Sequence, residues 1–425
     1  MNLYDEFQWR GMLHEATPDL QKILAEEKLT AYIGFDPSAA SLHVGSLLPV
    51  MALARLQRFG HTPIAIAGGG TGLIGDPSGK TSERQLLSYE QVEVNLAGIK
   101  EQLGRFLDFN AATNPARIVN NFEWLGPISM MEFLRDVGKY FTVNNLLAKE
   151  AIKRRLEAED GISFTEFSYP LLQAYDYLVL YDSYRCTLQM GGSDQWGNIV
   201  AGIDLIRRLR GARAHGLVFP LVATAAGLKF GKTEAGAVWL DPNLTSPYRF
   251  YQFWLNTDDR DAVTYLKFFT WLSQEEIAEL EESVRMAPEK RHAQRELARH
   301  VTALVHGETK LEKALRASEV LFGKEISGLG VQEILDIFAD VPSTELEKSK
   351  LDGDSFTLTD ALVVSGLAPS KGEAKRLVQG GGVCVNNRRV SDARQTISGS
   401  DLIDGQVLVL RKGARHYHLI RIVGS

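Results

Sequence analysis

The chain has 425 residues, 44% hydrophobic and 24% charged, with a formal net charge of −6. That length suits two to three domains with ordinary apolar cores, and the composition excludes a collagen, a long coiled coil and a wholly disordered chain. No apolar run approaches the ~18–20 residues needed to cross a bilayer. Only Cys186 and Cys384 are present, which excludes a disulfide framework or a cysteine-rich zinc site and suits a reducing, cytoplasmic setting. The N-terminus Met1–Glu6 is mildly acidic and does not read as a signal or transit peptide.

In chain order, residues 20–27 predict a helix and Ala31–Phe35 a short buried strand ended by Asp36-Pro37. Leu47–Phe59 has helical spacing, with Pro49 in the first turn where proline is tolerated. Strands follow at Pro63–Ala67, Arg117–Asn121, Arg185–Met190 and Leu217–Val222, with a helix over Gln195–Leu209. Strands alternating with helices predict an α/β fold with a parallel sheet. Residues 247–322 carry helical patterns alone and predict a separate helical domain. The polar run 340–355 reads as a linker. The tail returns to mixed α+β, with strands at Val383–Val385 and Val407–Leu410. From Thr357 to Ser425 there are ten Lys/Arg and five Asp/Glu, so the tail is +5 and the rest is −11. A basic appendix on an acidic body suits RNA, although a merely solvated basic surface has the same signature.

Four polar stretches compete as candidate sites. Gly70-Thr-Gly72-Leu-Ile-Gly75 matches the dinucleotide fingerprint formally. Asp76-Pro77 follows it, however, where a pyrophosphate-binding helix should start. Gly79-Lys80-Thr81 resembles the end of a P-loop, but Ile74 stands where the first glycine is needed. Asp36-Pro37-Ser38 to His43-Val44-Gly45-Ser46 lies between a strand and a helix. Free N–H groups at that helix start, a close approach at Gly45 and donors at His43 and Ser46 suit a polyphosphate. Equally, Ser46 could be an N-cap and His43 a solvated loop residue. Gly191-Gly-Ser-Asp194-Gln195 follows another strand end, so the two loops flank one crevice at the carboxyl ends of the strands. There Asp194 could bind a ribose hydroxyl or cap the helix.

Lys229-Phe230-Gly231-Lys232-Thr233 is a glycine-flanked basic loop able to close over a triphosphate, or a solvated turn. Ser163-Phe-Thr-Glu166 has the capping-box pattern, while Pro170 implies a kink or a later start near Ser168. In either case Tyr169, Gln173 and Asp176 share one helical face. That stripe could bind an amino acid's ammonium group and a hydroxyl, or simply face solvent.

Taken together, these residues resemble the bacterial tyrosyl-tRNA synthetase family, along essentially the whole chain. His43-Val-Gly-Ser46 resembles the first class I signature, usually His-Ile-Gly-His. Lys229-Phe-Gly-Lys232-Thr233 resembles the second, usually Lys-Met-Ser-Lys-Ser, with Gly-Gly-Ser-Asp-Gln-Trp between them. Residues 362–386 resemble an S4 RNA-binding domain. The resemblance implies a Rossmann-like catalytic domain over 1–240, with an inserted helical dimer-interface segment at about 122–160. It further implies a helical anticodon-arm-binding domain over 241–325, a linker over 326–355 and an S4 domain over 356–425.

The activity it implies is a two-step ligase that makes tyrosyl-adenylate from L-tyrosine and ATP and passes tyrosyl to the 3′ end of tRNA(Tyr). Tyr32 and Asp176 would bracket the substrate phenol hydroxyl. Tyr169, Gln173 and Asp76 would hold the ammonium group, and Asp36 and Gln195 would position the α-amino acid and adenylate region. ATP would lie along Asp36, Ser38, His43, Gly45, Gly191, Asp194 and Lys232, with the ribose on Asp194 and phosphate or ribose on His43 and Ser46. Lys229, Lys232 and Thr233 would clamp pyrophosphate, assisted by Lys80 and Arg84. Magnesium would accompany ATP without a protein metal site, and Lys371, Lys375, Arg376 and Arg388 would contact tRNA. The family implies a homodimer, with no membrane association. Two departures stand out: Ser46 replaces a histidine and Gly231 a serine.

Overall fold

The computed structural model describes residues 2–78, 86–157, 161–227, 230–233, 236–321, 323–339, 341–351, 356–413 and 416–424. The chain divides into two compact units, 1–244 with 256–297, and 245–255 with 298–425.

The first unit is built on a six-stranded sheet of β1 (Glu15–Ala16), β2 (Thr30–Phe35), β3 (Thr62–Ala67), β4 (Arg117–Asn120), β5 (Cys186–Gly192) and β6 (His215–Phe219), in the order β1-β6-β5-β2-β3-β4. All neighbours are parallel except β1, which runs antiparallel to β6 at the edge. This is the α/β class expected. The central strands read as near-continuous apolar runs because helices cover both faces of a parallel sheet. Strand order reverses between β2 and β5, which opens a crevice outside their carboxyl ends.

Three helices position the residues around that crevice. Leu47–Arg58 follows β2 and is almost wholly buried. Trp196–Arg210 follows β5. Phe164–Tyr184 precedes β5 and starts at Ser163, whose hydroxyl accepts the Glu166 N–H; the later start near Ser168 is not adopted. Pro170 stays inside that helix, buried, and the Ser168 hydroxyl donates to the Thr165 carbonyl one turn earlier. The return arm of the expected capping box is replaced by an ion pair. Glu166 takes Arg155 Nη2 at 2.8 Å, with both side chains buried. Gly70–Gly75 forms a short 3-10 turn over Thr71–Leu73, so no helix stands there to receive a pyrophosphate. Past a two-stranded hairpin, β7 (Lys232–Thr233) with β8 (Gly236–Ala237), the helices Asp259–Phe269 and Gln274–Met286 also belong to this unit.

The second unit contains a five-stranded sheet of β9 (Ser343–Glu347), β10 (Val383–Val385), β11 (Arg388–Val390), β12 (Val407–Lys412) and β13 (His416–Val423), in the order β11-β10-β12-β13-β9. The linker expected over 326–355 is corrected here. That stretch holds the helix Val331–Ile337 and the strand β9, which runs parallel to β13 from Ser343 opposite Leu419 to Glu347 opposite Val423. As an edge strand, β9 buries only Leu346, so its composition imitates a linker. Nor do residues 241–325 stand as one helical domain. Tyr248, Ala317 and Val320 share an apolar core with Ile334, Phe338, Val409 and Leu419, and Asn387 Nδ2 donates to the Val320 and Lys324 carbonyls. Among the described residues, no helix is long and apolar enough to cross a membrane.

Candidate active site

A single cleft of about 650 Å³ opens at the reversal of strand order. Tyr32, Asp36, Ser38, His43, Gly45 and Ser46 line it from β2 and the loop beyond. Asp76, Tyr169, Gln173, Asp176, Gly191, Asp194 and Gln195 also line it. Lys80, Arg84 and Lys229 lie outside the described residues. Lys232 and Thr233 are described through their backbone only, in β7.

At the deep end, Asp176 is buried and accepts two hydrogen bonds, from Asn121 Nδ2 at 2.9 Å and from Trp124 Nε1 at 2.7 Å. Burial pushes its carboxyl up to about 7. The two hydrogen bonds pull it down, and the neighbouring charge of Asp36 pushes it up. The Tyr32 hydroxyl is buried at the same cleft and has no hydrogen-bond partner among the described residues. Burial first, then Asp176, holds that phenol far above its ordinary value, so it remains a donor. A buried donor without a partner beside a carboxylate acceptor suits a ligand hydroxyl, which can give one hydrogen bond and take one.

The remaining carboxylates are fixed by a connected network. Tyr169 Oη donates to Asp36 Oδ2 at 2.8 Å, and Thr71 Oγ1 donates to Asp36 Oδ1 at 2.7 Å. Gln195 Nε2 donates to Asp76 Oδ2 at 2.7 Å, while Asp76 Oδ1 takes the Ser78 N–H. Gln173 Nε2 donates to Gln195 Oε1 at 3.2 Å, and Asn198 Nδ2 donates to Gln173 Oε1 at 3.0 Å. The expected stripe of Tyr169, Gln173 and Asp176 therefore faces this cleft and not solvent. Burial, then Asp36 and Asp76, push the Tyr169 phenol far up. Acidic groups oriented by fixed donors make an environment that attracts an ammonium group.

The outer end is built differently. His43 Nδ1 accepts the Gly45 N–H at 3.0 Å, so the neutral ring carries its proton on Nε2. A Cβ at Gly45 would lie 2.6 Å from His43 Cε1, so a larger residue there would displace the imidazole. Ser46 stands at the head of Leu47–Arg58 but makes no side-chain cap, contrary to the N-cap alternative. The backbone of the second signature packs directly on the first. Val44 N donates to Val238 O, and Val238 N donates to Gly231 O. Gly231 has φ +79°, and a Cβ there would lie 2.7 Å from Val44 Cγ2. Both facts account for glycine in place of the usual serine.

In the second unit, Lys375 and Arg376 are exposed on the helix Lys371–Gln379. Lys371 pairs with Asp360 at 2.5 Å, and Arg388 pairs with Glu325.

Sequence reasoning missed Asn121, Trp124, Thr71 and Asn198, which orient the carboxylates and amides. Asn121 immediately follows β4 and was open to the rule that ligands gather at strand carboxyl ends. Trp124 and Asn198 carry no such signal, because their role exists only through contacts across the fold.

Residues 24–323 match the family model of class I tRNA synthetases (W and Y), and residues 333–420 match the C-terminal domain of tyrosine–tRNA ligases. The chain is 59% identical to the tyrosine–tRNA ligase of Roseiflexus castenholzii, over 99% of each chain. It is 54% identical to that of Bacillus caldotenax, over 99% of this chain and all of the relative. A truncated mitochondrial tyrosyl-tRNA synthetase of Aspergillus nidulans superposes with a TM-score of 0.68 at 30% identity, covering 76% of this chain and 94% of its own. With a synthetase family model over most of its length and close relatives over nearly all of it, the chain belongs to the tyrosine–tRNA ligase family of class I tRNA synthetases.

Proposed function

We propose that this cleft carries out the family's reaction, ATP-dependent ligation of tyrosine to tRNA, with L-tyrosine at the Asp176 end and ATP at the His43 end. The observation that carries the proposal is the partnerless buried hydroxyl of Tyr32 beside the carboxylate of Asp176, in the cleft that the first signature and Phe230 of the second also line. The substrate phenol donates to Asp176 and accepts from Tyr32. A site that hydrogen-bonds a hydroxyl rejects the analogue lacking it, since its own polar groups would be left unpaired; tyrosyl-tRNA synthetases are themselves the worked example of that rule. Asp76, Tyr169 and Gln173 receive the ammonium group. Asp36, Gln195 and Gly191 border the adenylate, and Asp194 takes the ribose.

The tyrosine carboxylate oxygen then bonds to the α-phosphorus of ATP, and the bond to pyrophosphate breaks. His43 through Nε2–H, Ser46, Lys229, Lys232 and Thr233 stabilise the charge gathering on the phosphates, with Lys80 and Arg84 assisting. Ser38 and Gly45 border the nucleotide. Next, a terminal ribose hydroxyl of tRNA attacks the tyrosyl carbonyl and AMP leaves. Positioning and electrostatics carry the rate, without a covalent enzyme intermediate. Magnesium accompanies ATP on its phosphate oxygens.

Lys371, Lys375, Arg376 and Arg388 serve tRNA binding, with Lys375 and Arg376 exposed for it. The chain works in the cytoplasm as a homodimer through the segment at about 122–160, where Met130, Met131, Leu134 and Val143 are exposed. The test is ATP–pyrophosphate exchange with each of the twenty amino acids. Exchange with tyrosine alone is expected; exchange with tryptophan, or with none, would overturn the assignment.

A further inference from the structure

The approach to the second signature and its Phe230 are both held by one helix, Asp259–Phe269. Where the chain enters the loop, the Ala225 N–H is taken by both carboxylate oxygens of Asp261, at 3.0 and 2.9 Å, and Tyr265 Oη donates to the Ala223 carbonyl at 3.2 Å. Within the signature itself, Phe230 is buried against the same helix. Its ring lies 4.9 Å from that of Tyr265 and stacks on Phe269 at 5.6 Å, with the planes 8° apart. The far end of the helix is fixed in turn. Arg55, fully buried, donates to the Phe268 and Thr270 carbonyls at 2.9 and 2.6 Å, and Arg10 donates to the Lys267 carbonyl at 2.9 Å. Arg55 belongs to Leu47–Arg58, the helix that begins directly after the first signature. One rigid element thus connects the two phosphate-binding signatures through side chains that no sequence motif contains.

We propose that Asp261 is a positioning residue for adenylate formation. By holding the Ala225 amide, it fixes the entry of the loop so that Lys229 and Lys232 reach the transition state with little ordering left to do. It touches neither substrate and acts through the loop backbone. A lysine on a loosely rooted loop must lose its freedom at the moment of reaction, which lowers the rate of the chemical step and leaves ground-state binding unchanged. Tyrosine lies at the other end of the cleft, so its affinity is independent of this anchor.

The proposal rests on the assignment above, and wild-type exchange with tyrosine checks that assignment separately. In Asp261→Ala, single-turnover adenylate formation should fall about tenfold, with the tyrosine Kd from equilibrium dialysis unchanged. Brief trypsin treatment of the native protein should then cut faster after Lys229 and Lys232. Asp261→Asn keeps one acceptor oxygen and should fall between. Wild-type adenylation and cleavage rates in Asp261→Ala would overturn the proposal. So would a parallel loss of tyrosine affinity, the mark of general damage. Should Asp261→Ala fail to fold, Asp261→Asn decides: it removes one acceptor oxygen and keeps the size and shape of the side chain. It should slow adenylation about threefold at unchanged tyrosine Kd, and an unchanged rate would sink the proposal.

Discussion

The two ends of the cleft solve their problems by opposite means. At the deep end, Asp176 is over-determined: two donors hold its oxygens, and it is buried with the orphan hydroxyl of Tyr32 close by. At the outer end, the chain uses glycine. Gly45 admits the His43 ring and Gly231 lets the second signature lie on Val44, while backbone hydrogen bonds through Val238 hold the two segments together. Selecting a hydroxyl requires rigid buried polar groups, because discrimination comes from the penalty of leaving them unpaired. Stabilising a transferring phosphate requires charges whose interaction is strongest in the transition state.

That contrast is sharpest at Asp176. Asp176→Asn should cut kcat/KM for tyrosine about 100-fold, as expected for a lost hydrogen bond to a buried charge, while the KM for ATP stays within about twofold. Steady-state exchange kinetics measure both, and equal loss for the two ligands would erase the division of labour. Gly231→Ala should do the reverse. A side chain forced into the left-handed region and against Val44 should slow adenylate formation about tenfold, with tyrosine affinity intact by equilibrium dialysis.

Proton linkage sharpens the deep end further. The Asp176 carboxyl holds its proton up to about 7, whereas an unfolded aspartate releases it near ~4. Its contribution to stability is therefore full below the unfolded value and is lost as pH rises through about 7. Tyrosine binding to the ionised form runs the other way, and affinity should rise about tenfold between roughly pH 6 and 8. Trp124→Phe removes a hydrogen bond that lowers this value, so it should move the midpoint of the binding profile to higher pH. A titration of tyrosine affinity in both proteins checks the sign. The smallest effect belongs to Ser46→Ala, about threefold on adenylate formation; an unchanged pre-steady-state rate would take Ser46 out of the site.

Local pattern made much of this legible. The apolar runs at Ala31–Phe35 and Pro63–Ala67 announced parallel strands, and the glycine loops after β2 and β5 did flank one crevice. Strand β9 was illegible because an edge strand with a single buried leucine has the composition of a linker. The helix start at Ser163 was ambiguous because Pro170 argued locally against it; the surrounding fold retained the proline and diverted Glu166 to Arg155.

By itself, the order of residues determined the class of fold and the two signatures, since each is written in periodicity or in a contiguous motif; the groups proposed to meet the substrates were named by resemblance. Only the tertiary structure decided which groups orient them. Asn121 and Trp124 reach Asp176 across more than fifty positions, and Asp261 reaches Ala225 across thirty-six. Contacts of that kind arise when packed elements bring distant side chains together, and no local pattern along the chain encodes them.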